Sequence, residues 1–99
     1  MKATTHLKKP FGKATFSRIR HARYLAWEDA FDVEFEDGVS FLEPHTTIRK
    51  ANKISPHAQP VQVDVDERGI YFEVRYDTSE IAEVSWSFIR ELPPKPAKK

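Results

Sequence analysis

The sequence predicts a mainly β (α+β) fold: a small antiparallel sheet of about five to six short strands joined in hairpins, with one or two short helical turns. Two observations predict this class. Apolar and polar residues alternate along several short runs, and a period of two is typical of half-buried strands. Clusters of aspartate, glycine and serine separate these runs, and such residues form the tight turns that connect antiparallel neighbours.

Length and composition limit what the chain can be. Its 99 residues are 39% apolar and 12% aromatic, which suffices for one modest core. There is no cysteine, which excludes a disulfide framework and a thiolate site. No apolar run approaches the roughly 18 residues of a membrane-spanning helix, and the basic N-terminus lacks the apolar region of a secretory signal. The sequence therefore predicts a soluble, cytoplasmic protein with no membrane partner.

Charged residues are segregated along the chain. Residues 1–23 hold seven lysines and arginines and no acid, whereas residues 28–43 hold seven acids and no lysine or arginine. We expect three segments: a basic flexible arm (1–14), a single β-rich domain (15–92) and a Pro/Lys tail (93–99). Two interpretations stay open, because basic and acidic segments could fold against each other in one sheet or could bind charged partners.

The segment before the first hairpin fits neither a helical nor a strand period cleanly. We predict a strand over about residues 18–24, because residues 28–30 then form a short connection into the hairpin. A helix over residues 17–26 is the alternative, since alanine and arginine tolerate helical structure.

The best-defined hairpin spans residues 31–43 and turns at Asp37 and Gly38. A two-residue turn would divide its apolar residues between both faces. A three-residue loop pairs Phe35 with Val39 and keeps one face apolar, and register follows the buried face. We therefore predict a type I turn with Gly38 in the left-handed region of a G1 bulge.

A short helical segment and a loop are predicted next. Pro44 ends the second strand of the hairpin, and Thr46 or Thr47 is expected to cap a helical turn over residues 48–53. Residues 55–60 contain two prolines and no apolar periodicity, which predicts a loop.

The second half of the chain predicts another hairpin. A four-residue loop over residues 66–69 would pair Val65 with Ile70. The residues expected to be best buried come from both halves of the chain. They are Val33, Phe35, Phe41, Val63, Val65, Phe72, Val74, Val84 and Trp86.

A third connection returns the chain along the last strand. Pairing Tyr76 with Ala82 would place Arg75 opposite Glu83 as a cross-strand ion pair. Residues 85–92 are then expected to form one or two helical turns with a serine cap, stopped by the prolines that follow.

No catalytic, cofactor or metal site is predicted. The histidines are His6, His21, His45 and His57. They lie at no metal-ligand spacing on a predicted helix, and no cysteine supplements them. The serines have no nucleophile context and the glycines form no phosphate-binding loop. We therefore expect neither an enzyme nor a bound cofactor.

The first binding hypothesis concerns an acidic row. Asp32, Glu34 and Glu36 alternate along one solvated face of the first hairpin. A row of carboxylates suits a basic partner, and a small sheet leaves edges that other chains can pair with. The sequence therefore favours a protein-binding module, whose partner is another protein or a second copy of the chain.

The second binding hypothesis concerns nucleic acid. Basic residues lie among aromatic residues near the N-terminus, and this combination is typical of single-stranded nucleic-acid binding. The candidate residues are Lys8, Lys9, Lys13, Arg18, Arg20 and Arg23. In this hypothesis Lys50 and Lys53 add to the basic residues, and Phe11, Phe16, Tyr24 or Trp27 would stack on bases.

One motif of the hairpin is V-x-F-x-D-G, formed by Val33, Glu34, Phe35, Glu36, Asp37 and Gly38. With the strand before it and the closing strand and short helix, it resembles a small bacterial family of domains of unknown function over residues 18–92. The resemblance implies no catalytic residues. It implies a binding role that is antitoxin-like, because some members of that family lie beside small toxin-like proteins. The basic arm and the Pro/Lys tail depart from the family pattern.

Overall fold

A computed structural model describes residues 16–90, so the predicted arm (1–14) and tail (93–99) lie outside the described residues. The predicted mainly β class is confirmed, with six strands and two short helices in this part of the chain. The elements are β1 (Ile19–Leu25), β2 (Ala30–Phe35), β3 (Ser40–Pro44), α1 (His45–Asn52), β4 (Pro60–Val65), β5 (Tyr71–Tyr76), β6 (Ile81–Ser85) and α2 (Trp86–Arg90).

The strands divide between two antiparallel sheets of three strands, in the orders β1-β2-β3 and β4-β5-β6. Each sheet is a simple meander, and each meander runs directly into a helix. α1 begins at the residue after β3, and α2 begins at the residue after β6. The described chain is therefore two βββα units in succession, joined by residues 53–59.

The predicted first strand is confirmed, and the alternative helix over residues 17–26 is wrong. β1 pairs with β2 from Ile19 opposite Phe35 to Leu25 opposite Ala30. An irregularity between Ile19 and His21 shifts the register. Ile19 is therefore buried on one side of the irregularity, while Ala22 packs against the core on the other side. This bulge explains why the sequence alternation of this segment is broken.

The predicted register of the first hairpin is confirmed. Val33 lies opposite Phe41, and the Phe35 N–H donates to the Val39 carbonyl at 2.9 Å. Gly38 has a φ of +90°, in the left-handed region as predicted. The Asp37 carboxylate stabilises the turn, because it accepts the Val39 N–H at 3.2 Å.

The predicted register of the second hairpin is wrong by two residues. Val65 lies opposite Phe72 and not opposite Ile70. The Asp66 carboxylate accepts the N–H groups of Arg68 and Ile70. The Asp66 N–H donates to the Tyr71 carbonyl at 2.9 Å, so a loop of the predicted length lies one residue later, over residues 67–70. Gly69 closes that loop against the other sheet, since its carbonyl accepts the Ile19 N–H at 3.0 Å.

The predicted register of the third hairpin is also wrong by two residues. Val74 lies opposite Ala82, so Arg75 faces Ile81 and the predicted pair of Arg75 with Glu83 does not form. The connection is tighter than expected because Ser79 adopts a φ of +78°, the conformation that glycine supplies in the first hairpin.

The two helices differ in how well they were predicted. α1 begins three residues earlier than expected, at His45, and no side chain caps its first turn. The predicted threonine cap is wrong, because the Thr47 hydroxyl hydrogen-bonds the Glu43 carboxylate at 2.6 Å. The serine cap of α2 is confirmed, since the Ser85 hydroxyl accepts the Phe88 N–H at 3.3 Å.

The core lies between the two sheets, with α1 and α2 closing it. Phe31 of β2 and Phe72 of β5 meet across the sheets with ring centroids 6.1 Å apart. Most predicted core residues are buried, but Val63, Val65 and Trp86 are only partly buried. The two valines belong to β4, an outer strand of its sheet, which covers them less fully than β5 covers its own inward residues. The core also takes in His45, which is fully buried.

Candidate functional site

A chain of polar side chains from different elements converges at one end of the core. The Tyr24 hydroxyl donates to Asp29 Oδ1 at 2.7 Å, and His45 Nδ1 lies 2.8 Å from the same oxygen. On the other side of the imidazole, His45 Nε2 lies 2.9 Å from the Tyr76 hydroxyl. This cluster links β1, the β1–β2 turn, α1 and β5. We refer to Tyr24, Asp29, His45 and Tyr76 as the histidine cluster.

The partners of His45 fix its tautomer. An ionised carboxylate can only accept, so Nδ1 carries the proton and donates to Asp29, and Nε2 accepts the Tyr76 O–H. Burial lowers the pKa of His45, and the hydrogen bond to Asp29 only partly opposes this. For Asp29, burial acts to raise the pKa, but the hydrogen bonds from Tyr24 and His45 outweigh it and the pKa is lowered. The resting cluster is therefore a neutral imidazole beside a carboxylate.

The order carboxylate, imidazole, hydroxyl is that of a nucleophilic triad, but here the imidazole and the hydroxyl are buried. His45 is fully buried and Tyr76 is only 3% exposed. Burial raises the pKa of Tyr76 to about 12, which keeps its hydroxyl protonated at neutral pH. The arrangement supplies hydrogen-bond partners to polar groups that would otherwise be buried unpaired.

Arg49 of α1 extends the histidine cluster toward the second sheet. One guanidinium nitrogen donates to the Ala58 carbonyl at 2.9 Å, and another lies 3.9 Å from Asp29 Oδ2. Arg49 therefore links the β1–β2 turn to the segment that precedes β4. Arg49 Nε is buried and has no hydrogen-bond partner among the described residues.

The sequence indicated His45 only as a residue without metal-ligand spacing, and this cluster was not predicted. A signal was present in the alternation of β3. Phe41, Glu43 and His45 follow one another at a spacing of two, and all three are buried. The inward face of the strand thus continues into the first residue of α1.

The acidic row predicted for protein binding lies on the solvent-facing side of the first sheet, but basic residues accompany it. Arg23 lies opposite Asp32, with Nε 3.4 Å from Oδ2, and His21 lies opposite Glu34. These four residues, which we call the hairpin face, line a depression of about 380 Å³ with Ala22. The interpretation that basic and acidic segments fold against each other describes this pairing. Glu36 lies beyond the strand and is exposed.

The residues predicted for nucleic-acid binding are only partly described. Lys8, Lys9 and Lys13 lie outside the described residues. Arg18 donates to the Glu67 carbonyl at 2.8 Å, and Arg23 pairs with Asp32.

Arg20 is exposed on β1. Tyr24 is engaged in the histidine cluster and packs on Phe31. Of the two aromatic candidates in β1 and the turn after it, Trp27 is therefore the one on which a base could stack. The structure thus brings basic residues next to acids on β1 and β2 and forms no continuous basic stripe there.

Trp27 occupies the turn between β1 and β2, at the end of the hairpin face. It is 78% exposed, more than any other large apolar residue among the described positions. Tryptophan is highly buried on average, so an indole that projects into solvent is unusual. From sequence patterns only a stacking role was predicted for Trp27, because periodicity does not reveal which aromatic residue lies in a turn.

No family model matches the chain, and comparisons with curated proteins and with solved structures found no match. Within residues 16–90, no group of three or more metal-binding side chains lies close enough together to hold an ion. None of the helices in that same range is long and apolar enough to cross a membrane.

Proposed function

We propose that this chain is a non-enzymatic protein-binding module that docks a partner protein on the hairpin face, with Trp27 as the apolar anchor. The observation that carries this proposal is the exposure of Trp27 in the β1–β2 turn. Tryptophan is enriched among the residues that dominate protein interfaces, because its large ring loses much water-exposed area when a partner covers it.

The charges beside Trp27 support the same function. Protein interfaces combine an apolar centre with a polar rim. Arg23 and Asp32 on neighbouring strands present both signs of charge, and the Arg23 side chain is 71% exposed. A mixed rim of this kind favours a protein partner with complementary charges over a phosphate backbone, which requires positive charge.

The resemblance of the V-x-F-x-D-G hairpin adds a narrower form of this function. It suggests an antitoxin-like role, or that of a subunit in a small complex, and the partner is then another protein or a second copy of the chain. The cytoplasmic location predicted from the sequence belongs with this proposal and stays a prediction.

The test is affinity capture from the native lysate with the full chain and with Trp27→Ala. We expect the variant to lose the partner, since truncating an interface anchor typically costs about 2 kcal/mol or more of binding free energy. Its free energy of unfolding should change by less than about 0.5 kcal/mol because the side chain is exposed. The matched control is Val61→Ala, an exposed apolar truncation on β4 that should keep the partner.

A second variant tests the charged rim. Replacing Asp32, Glu34 and Glu36 by lysine should leave the fold intact, because exposed ion pairs contribute only about 0–1 kcal/mol. The proposal is wrong if this variant and Trp27→Ala both capture the same partners as the unchanged chain. Nuclease treatment of the lysate decides the alternative: partners that disappear with nuclease indicate nucleic-acid binding through the basic arm.

A further inference from the structure

A groove of about 330 Å³ lies between α1, β6 and α2, away from the hairpin face. Its lining consists of Ala51, Asn52, Glu83, Val84, Ser85 and Phe88. Val84 is buried, whereas Phe88 remains 38% exposed although it is a large aromatic residue. The exposed part of the Phe88 ring therefore gives the groove an apolar surface that no other described element covers.

The wall that α1 contributes is held in place by Asn52. The Asn52 amide oxygen accepts the Glu83 N–H at 3.1 Å, and the amide nitrogen donates to the Ile48 carbonyl at the same distance. β6 is an outer strand, so the backbone of Glu83 points away from β5 and toward the groove. A side chain of α1 thus occupies a position that a neighbouring strand would otherwise take. The groove is preformed by these two hydrogen bonds.

A row of acidic residues crosses the second sheet and ends at the groove. Asp64 of β4 lies opposite Glu73 of β5, and Glu73 lies opposite Glu83 of β6. Like charges directly opposite each other on a sheet are unfavourable. Arg75 approaches Glu73 at 3.5 Å, and within residues 16–90 it is the one cation that pairs with this row of three carboxylates. The row gains most from a partner that brings positive charge.

We propose that this groove is a second docking site, and that its occupant is a segment of a partner protein with an apolar side chain beside lysine or arginine. The apolar side chain packs on Phe88, and the basic residues lie over Glu83 and Glu73. This site belongs to the second sheet and the helices, whereas the hairpin face belongs to the first sheet. Neither proposal depends on the other.

The test selects peptides from a random peptide library against the full chain, with the hairpin-face variant Trp27→Ala used in parallel. We expect peptides rich in lysine and arginine with an apolar residue, selected equally by both proteins. Amide NMR signals of residues 51–52 and 83–88 should shift on titration with a selected peptide, and those of β1 and β2 should not.

Two groove variants should weaken these peptides by about tenfold each, Glu83→Lys by charge and Phe88→Ala by lost contact. Glu83→Lys also relieves the repulsion from Glu73, so its denaturation midpoint should not fall, which separates lost binding from lost folding. The matched control is Glu28→Lys, the same charge change at an exposed position in the β1–β2 turn.

The proposal is overturned if no peptide produces saturable shifts at the groove, if the selected peptides are acidic, or if both groove variants bind as well as Glu28→Lys. Light scattering of the full chain distinguishes one further occupant. A dimer that Phe88→Ala dissociates would show that a second copy fills the groove, which overturns a separate partner protein.

Discussion

His45 is the residue whose surroundings differ most from what its type suggests. A histidine that is fully buried must be neutral or paired, because burying an uncompensated charge is costly. Asp29 and Tyr76 use both of its ring nitrogens, and its backbone N–H also donates to the Asp29 carbonyl at 3.0 Å. One side chain thus joins the β1–β2 turn to β5 across the core.

Acid should destabilise the fold through His45. Its pKa is lowered in the folded state by burial, so between that value and the ordinary histidine value of 6.5 the unfolded chain binds more protons. The stability contribution is fully present above about pH 6.5 and is lost as the pH falls through the folded pKa. Chemical denaturation at several pH values between about 7 and 5 should show a declining free energy of unfolding.

Two variants isolate this effect. His45→Gln should be less stable by roughly 1–3 kcal/mol at pH 7, because a buried hydrogen-bond partner is lost, and its stability should vary less over the same pH range. His21→Gln changes an exposed histidine of the hairpin face and should keep the decline. An unchanged pH profile in His45→Gln would contradict the role assigned to this residue. Asp29, whose pKa is also lowered, acts in a separate window, since its contribution is lost only below the ordinary carboxyl range.

Among the elements, α2 is the one least able to exist alone. It has five residues, and an isolated helix of that length is not stable in water. Its last residue, Arg90, holds it to the first hairpin. The guanidinium donates to both carboxylate oxygens of Asp37 at 3.3 and 3.0 Å, and it lies 4.8 Å from the centroid of the Phe35 ring.

Arg90→Lys should therefore lower the free energy of unfolding by about 1–2 kcal/mol, although the charge is kept. A lysine ammonium cannot make the paired hydrogen bonds, and it stacks less well on an aromatic ring. Urea denaturation measures the loss. Arg75→Lys is the control, because that arginine forms an exposed pair with Glu73 and should change stability by less than about 0.5 kcal/mol. Equal effects at both positions would show that the fork geometry of Arg90 is unimportant.

How well the sequence predicts a hairpin depends on whether the residue types in its turn indicate the backbone conformation of that turn. The first hairpin carries Asp37 and Gly38, whose conformations select one loop length, and its register was predicted correctly. In the third hairpin Ser79 takes the left-handed conformation, and a serine gives no sign of that. In the second, the loop has the predicted length but lies one residue later, where the Asp66 side chain accepts the Ile70 N–H. A shift of two residues keeps the same faces, so inward and outward residues were still assigned correctly there.

The candidate sites were predicted less well than the elements, because they depend on which strands become neighbours. Asp32 and Glu34 were recognised as outward residues, but their partners Arg23 and His21 follow from a register that the bulge in β1 conceals. The row of Asp64, Glu73 and Glu83 could not be predicted, since it exists only in the observed registers of the last two hairpins.

At the scale of the molecule, each βββα unit covers the apolar side of the other. The rings of Phe31 and Phe72 meet between the sheets. Gly69, in the β4–β5 loop, accepts a hydrogen bond from Ile19, the first residue of β1. A Cβ on Gly69 would lie 2.9 Å from the Ile19 backbone nitrogen, so this contact leaves no room for a side chain. Neither unit alone would bury the large aromatic residues of its inner face.

Dividing the chain between Pro56 and His57, two exposed residues between the units, tests this dependence. Each half produced separately should be unfolded, because a core of half the size cannot offset the loss of conformational entropy. Mixing the halves should restore the native circular dichroism spectrum, and it should not do so when one half carries Phe72→Ala. A half that folds on its own would contradict the shared core.

The succession of two βββα units also changes what the connection at residues 53–59 means. Two separate polypeptides with this arrangement would associate only above a threshold concentration, as dimers do. In the intact chain the connection keeps one unit within reach of the other, at an effective concentration on the order of millimolar for a short linker. Folding of the intact protein is therefore independent of dilution, whereas folding of the divided protein must depend on it, and that difference measures what seven connecting residues contribute.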